Sequence, residues 1–284
     1  MAHGSGRGTA GRVEAMDTEP LSRRRALTML SGAGLAALVG CASSSKTSAA
    51  SSSSSTTGSS PSSTSSSSSS AAASTVATKA IPEETAGPFP GDGSNGPNVL
   101  TQDGVVRRDI TSSFGSMSGT AAGVPTTVEL TIVDVSKNGA PYAGAAVYAW
   151  HCDQQGRYSL YSQGVTDQNY LRGVQEAGAD GKVTFTTIFP AAYSGRWPHV
   201  HFEVYPTLAE ATKAGNPIAT SQLALPEAIC NTVYATPGYE QSVRNMAQTS
   251  LARDMVFSDG ADQETPTATG DVNSGITLTL TVPV

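Results

Sequence analysis

The chain has 284 residues, 38% of them hydrophobic and 14% charged, with 29 glycines, 16 prolines and a formal net charge of −6. An acidic balance gives no support to a nucleic-acid partner, because neutralising a phosphate backbone takes a basic face. Five of the 17 basic residues (Arg7, Arg12, Arg23, Arg24 and Arg25) precede residue 26, so the remainder is more acidic still and suits a soluble domain outside the cytoplasm.

In chain order, residues 22–41 read SRRRALTMLSGAGLAALVGC. A basic cluster precedes an apolar run of about fifteen residues, too short for a bilayer core of ~30 Å, which is the pattern of a signal peptide. Arg23–Arg24 or Arg24–Arg25, with Leu27 behind them, resemble a twin-arginine export signal. The ending LVGC resembles a lipoprotein box in which Cys41 carries the lipid. The expectation is a signal peptide over 1–41 and an exported protein, anchored at the outer face of the cytoplasmic membrane or in the cell envelope. Its membrane contact is through Cys41 alone, with acyl chains contributing ~0.8 kcal/mol per buried CH₂. Residues 42–80 are almost all Ser, Ala and Thr. Such a segment buries too little apolar surface to offset its ordering entropy, so it reads as a disordered tether with a mean span of ~35 Å.

From Ile81 the composition changes, and residues 81–284 read as one domain. Thr126–Val135, Ala145–Cys152, Lys182–Phe189, Val200–Tyr205, a weak Ser221–Leu225 and Ile276–Val284 are β-rich or alternating runs. Turn clusters separate them at Lys137–Pro141, Asp153–Gly156, Ala177–Gly181 and Asp271–Gly275. Many short strands with Gly and Pro turns predict an all-β domain, an antiparallel β-sandwich or barrel with long loops. Little helix is expected beyond a turn or two at Leu208–Lys213. Cys152 and Cys230, an even pair outside the cytoplasm, read as a disulfide.

The densest chemistry is YSGRWPHVH, Tyr193–His201. On a strand, His199 and His201 project from one face and can reach a common atom, while Val200 and Phe202 point to the core. Such a pair is compatible with a metal site or with ordinary strand histidines. Zinc would want a third His, a Cys or a carboxylate; a ferrous two-His-one-carboxylate site would want an acid such as Glu203. His151 reads as a structural or neighbouring residue rather than a ligand.

Tyr158 in WHCDQQGRYSLY, LRGVQ (171–175), DGKVTFTTIFP, Tyr193 in FPAAYSGRWPHVH and HVHF stand in an order that resembles the intradiol ring-cleavage dioxygenases. The resemblance runs from about Glu84 (ETAGPFP) to Gln222. It implies a β-sandwich core and one non-haem Fe(3+) per chain, held by Tyr158, Tyr193, His199 and His201. Two phenolates suit a hard trivalent ion, because a cation lowers the pKa of a coordinated tyrosine from its usual ~10. It further implies a catechol-type substrate and O2, with both oxygen atoms inserted and the ring opened to a muconate-type diacid. Tyr193 would yield its place and take a proton, Tyr158 would stay, Arg196 would stabilise negative charge and Gln222 would help orient it. The segment between Tyr193 and His199 is shorter than in the protocatechuate enzymes, and Gly195 stands where those carry a substrate-side tryptophan. Leu225–Gln248 and the GPFP stretch, with Phe89, are expected to wall the pocket. The readings that compete are a non-catalytic, surface-tethered β-sandwich binding module and a zinc hydrolase.

Overall fold

The computed structural model describes residues 79–284; the expected signal segment 1–41 and the tether up to residue 78 lie outside the described residues. The strands are β1 (Pro125–Asp134), β2 (Ala140–Pro141), β3 (Ala146–Trp150), β4 (Arg172–Glu176), β5 (Lys182–Ile188), β6 (His199–Tyr205), β7 (Ala219–Ala224), β8 (Thr267–Asp271) and β9 (Gly275–Pro283). They form two sheets. One runs β2-β1-β9-β8 with β5 also on β1; the other runs β4-β3-β6-β7. The β-sandwich expected from the strand pattern is the fold found.

Alternation explains the first sheet. In β1, Val128, Leu130 and Ile132 are buried while Thr127, Glu129 and Thr131 between them are not. These side chains meet Val183 and Phe185 of β5, Ile276, Leu278 and Val282 of β9, and Val147, Val200, Phe202 and Val204 from the inner face of the second sheet. Each fully buried side chain of this kind stabilises by ~1.5–3 kcal/mol. One pairing departs from an all-antiparallel sandwich: β1 and β9 run parallel, Thr126 opposite Ile276 through Val133 opposite Pro283.

The second sheet is buried on both faces, and β3 and β6 show no exposed position. Its outer face carries Ala146, Tyr148 and Trp150 of β3 and Tyr205 of β6. These pack against Val99, Leu100, Val105, Cys152, Tyr158 and Ala191, with Phe89, Tyr161 and Tyr193 around them. Long loops therefore form a lid over this face, and under that lid lie the histidines.

One expectation needs correction. Cys152 and Cys230 are free, buried thiols and not a disulfide. Cys152 packs in the outer-face cluster with Sγ toward the Ala191 carbonyl, and Cys230 in the core between the sheets with Sγ toward the Leu225 carbonyl. Helix is as limited as expected: α1 (Leu208–Ala211) lies in the stretch where a turn or two was expected, and α2 (Glu227–Tyr234) and α3 (Glu240–Met246) are short. The apolar residues Ile229, Cys230, Val233 and Tyr234 of α2 recur at helical spacing, and the last three are buried. Leu225–Gln248, expected beside the pocket, packs behind Tyr193. Its buried side chains join the inter-sheet core, and from behind the site Ser242 Oγ accepts from the Ala192 amide (3.1 Å) while Asn245 Nδ2 donates to the Ala192 carbonyl (2.8 Å).

Candidate metal centre

Strand parity sets the base of the site. His199 and His201 both project from the outer face of β6, their Nε2 atoms 3.1 Å apart, and both are buried. Tyr158 comes from the loop after β3, in a turn closed by the Ser162 amide on the Tyr158 carbonyl and the Tyr158 amide on Ser162 Oγ, both 2.9 Å. Its hydroxyl lies 3.2 Å from both Nε2 atoms. Tyr193 enters from a turn that returns the Arg196 amide toward the Tyr193 carbonyl. Gly195 takes φ +84° there, a conformation that side chains with a Cβ seldom adopt. The Tyr193 hydroxyl lies 3.2 Å from His199 Nε2.

Four of the six donor pairs are thus separated by 3.1–3.2 Å. Tetrahedral ligands at ~2.0–2.1 Å from one ion stand about 3.4 Å apart, so the set fits a single metal. Its electrostatics agree. Burial lowers His199 to about 3 and drives His201 well below its usual range, so both imidazoles are neutral and ligand-ready. Burial also raises Tyr193 to about 12 and Tyr158 well above 10, so the phenols keep their protons until a cation displaces them. Among the described residues no group of three or more His, Cys, Asp or Glu can hold a metal. The cluster depends on its two tyrosines, and the third His, Cys or carboxylate that a zinc site wants does not join it.

Beside the cluster lies a buried polar chain. Arg196 Nε donates to Asp254 Oδ2 (2.9 Å), and Arg196 Nη2 donates to Gln222 Oε1 (2.7 Å). Gln222 Nε2 donates in turn to the Thr85 carbonyl (2.8 Å). Asp254 Oδ2 also accepts from the Trp197 amide (2.6 Å), which ties this chain to the segment carrying His199. Burial pushes the Asp254 carboxyl up, but the hydrogen bonds from Arg196 and from the Trp197 and Val256 amides outweigh it and hold it below the usual carboxylate range.

The GPFP stretch does wall the cluster. A Cβ on Gly87 would lie 3.3 Å from His201 Cε1, which together with φ +71° explains the glycine. The Phe89 ring stands 5.0 Å from Tyr158 and 5.2 Å from Tyr161. Arg172 fastens this stretch. It is fully buried, and its guanidinium donates to the Phe89 and Pro90 carbonyls, to Tyr148 Oη and to both oxygens of Ser159. Cross-strand pairing puts Arg172 opposite Trp150, Trp150 opposite His201 and His201 opposite Gln222, one row across the second sheet.

All six residues singled out from the sequence therefore meet: Tyr158, Tyr193, His199 and His201 at one point, Arg196 and Gln222 bonded to each other. Glu203 does not join them. It accepts from Tyr205 Oη (2.6 Å), and burial raises it to about 7. His151 also stays apart, with Nδ1 on the Cys152 carbonyl (2.8 Å) and Nε2 on Thr187 Oγ1 (2.7 Å). Asp254, Arg172 and Trp150 were missed. Of these, Trp150 and Arg172 sit in motifs that were legible; Asp254 lies 58 residues beyond Arg196 with no spacing signal.

Fold and site together define a β-sandwich with a phenol–imidazole cluster under its loops. The family described as Dioxygenase matches residues 95–208, the stretch holding Tyr158, Tyr193, Arg196, His199 and His201. The solved intradiol ring-cleavage dioxygenase from Tetranychus urticae shares the fold, with a TM-score of 0.57 and 22% identity over 72% of this chain and 94% of that one. The family match covers less than half of the chain, and the structural likeness shows a shared β-sandwich fold. Catechol 1,2-dioxygenase 1 of Acinetobacter lwoffii is 42% identical over 57 residues, 20% of this chain and 18% of that protein. Chlorocatechol 1,2-dioxygenase of Rhodococcus opacus is 38% identical over 56 residues, 20% of this chain and 22% of that protein. The chain thus spans about a fifth of the length of the curated relatives it matches.

Proposed function

We propose that the chain is a non-haem ferric dioxygenase that inserts both atoms of O2 into a catechol-type aromatic and cleaves the ring between its two hydroxyl carbons, giving a muconate-type diacid. The observation that carries this reading is the convergence of Tyr158, Tyr193, His199 and His201 beside Arg196. When bound there, Fe(3+) supplies Lewis acidity toward both catechol oxygens and makes the ring reactive toward O2.

The residues divide the remaining work. His199 Nδ1 donates to the Trp197 carbonyl (2.6 Å); a carbonyl only accepts, so the proton sits on Nδ1 and Nε2 offers its lone pair. Tyr158 is buried and held by the Ser162 turn, which suits a permanent ligand. Tyr193 is half-buried and stands on an exposed turn at Ser194–Gly195, which suits the ligand that gives way and accepts a substrate proton at Oη. Arg196, fixed by Asp254 and Gln222, sets a positive charge beside the ring where negative charge develops. One preorganised donor of this kind contributes ~3 kcal/mol in a dry site. Phe89 and Gly87 exclude water from that side.

The proposal includes the setting: an enzyme exported by the segment before Cys41 and tethered through that residue by the Ser-rich linker. Oxygen uptake over a panel of catechols, with mass spectrometry of products made under isotope-labelled O2, tests the reaction. The expected product is a ring-opened diacid carrying two labelled oxygens. Iron-loaded protein that consumes no oxygen with any catechol contradicts it.

A further inference from the structure

The two histidines of the cluster are held in different ways. A metal-binding imidazole as a rule donates its far N–H to a carbonyl, a carboxylate or water, which fixes both tautomer and ring orientation. His199 obeys through the Trp197 carbonyl. For His201 no such carbonyl or carboxylate is found among the described residues: its Nδ1 is buried without a protein partner there.

What surrounds the His201 ring is flat contact. Trp150 is its direct cross-strand partner. The two rings stack with centroids 4.8 Å apart and planes 3° from parallel. Trp150 is itself fully buried, and among the described residues its Nε1 has no partner either, so packing sets the indole. Tyr148 stacks on Trp150 at 4.8 Å and 21°. Tyr148 is in turn held at Oη, which donates to the Pro90 carbonyl (2.6 Å) and accepts from Arg172 Nη1 (3.1 Å). At the ring edge, Gly87 leaves no room beyond His201 Cε1. A series of contacts therefore runs from the hydrogen-bonded Arg172 through Tyr148 and Trp150 to His201, and it ends on an imidazole with no acceptor of its own.

We propose that Trp150 is the positioning residue of His201: its indole face aims Nε2 at the cluster as the Trp197 carbonyl aims His199. The inference rests on the ferric reading above, because aiming Nε2 matters only if a metal is bound. Trp150 touches neither the converging point nor a substrate and acts through His201 alone. A flat face is the operative property, so a smaller flat ring keeps the function and an aliphatic side chain loses it.

The test is ferric-ion titration of the full chain and of Trp150→Phe and Trp150→Leu. It is followed by the visible tyrosinate-to-iron absorption, with melting of each metal-free protein recorded alongside. Trp150→Phe is expected to bind within about threefold of the parent with the same band. Trp150→Leu is expected to bind ~10–100-fold more weakly, as on loss of an outer-shell partner, with a displaced band. Should Trp150→Leu fail to fold, Trp150→Met replaces it, because its flexible chain fills the space without presenting a plane. A folded Leu or Met variant with parental affinity and band overturns the proposal, as does a Phe variant as impaired as the aliphatic one. A parent chain that takes up no ferric ion overturns the ferric reading instead, so the two failures are distinguishable.

Discussion

The two sheets differ in how many of their faces are buried. The first follows a simple rule: apolar side chains of β1 face inward, Glu129 and Thr131 face outward, and the edge strand β8 has no buried position. The second breaks that rule. Its inner face is as apolar as the other sheet's, but its outer face buries Arg172, His199, His201, Glu203 and Gln222 under loops. Burying polar groups costs free energy unless each is paired, and a sandwich core does not require it. On the proposed reading, one sheet supports the fold and the other also carries the reaction on its outer face. Substitutions should separate these roles.

The largest expected effect is on the outer face. Tyr158→Phe or His201→Ala should abolish ferric binding and visible colour, read by metal analysis and absorption, while far-ultraviolet circular dichroism remains that of the parent. Next comes Asp254→Asn, which leaves the buried Arg196 guanidinium without its counter-charge. A loss of ~3–5 kcal/mol in denaturant unfolding is expected, together with a fall in kcat at retained ferric affinity. If kcat does not change, Arg196 has no electrostatic role. On the inner face, Leu130→Ala should cost ~2–5 kcal/mol by cavity formation and leave the absorption band of the iron-loaded protein in place. A band altered by Leu130→Ala would erase the distinction between the two faces.

The smallest effect concerns Glu264, which sits beneath β7. Its Oε1 accepts from Ser221 Oγ (3.3 Å) and its buried Oε2 has no partner. Burial, helped by nearby Glu84, raises its pKa from 4.5 to about 7. A carboxyl with a raised folded-state pKa stabilises fully below its unfolded value, and that stability is lost as pH rises toward the folded value. Stability should therefore decline between pH 4.5 and about 7, and Glu264→Gln should flatten that decline in melting curves. An unchanged slope would mean that other groups carry it.

Legibility in the sequence follows the same division. The alternation of β1 and the parity of His199 and His201 were readable because a strand repeats every two residues. The parallel sense of β1 and β9 was not, since alternation is identical in both directions. β4 offered one buried valine between Gly173 and Gln175, and the exposed β8 offered no apolar pattern at all. α2 carried a helical signal at Ile229, Cys230, Val233 and Tyr234 that the β-rich surroundings obscured. The cysteine pairing failed because an even count is blind to where each thiol packs. Tyr158 and Tyr193 came from resemblance to a family, since phenol ligands obey no spacing rule. Asp254 and the Trp150 stack depend on tertiary packing and could only be seen in the fold.

The setting has its own check. Cys41→Ala should move the expressed protein from the membrane fraction to the soluble one, as expected if that residue carries the lipid.

The central claim is that Tyr158, Tyr193, His199 and His201 form one ferric site. Its most direct measurement is iron content together with the visible spectrum of the purified chain. A single iron per chain is expected, with a burgundy tyrosinate-to-iron absorption that disappears in Tyr158→Phe. A folded, colourless chain that takes up no stoichiometric iron on ferric loading would contradict it.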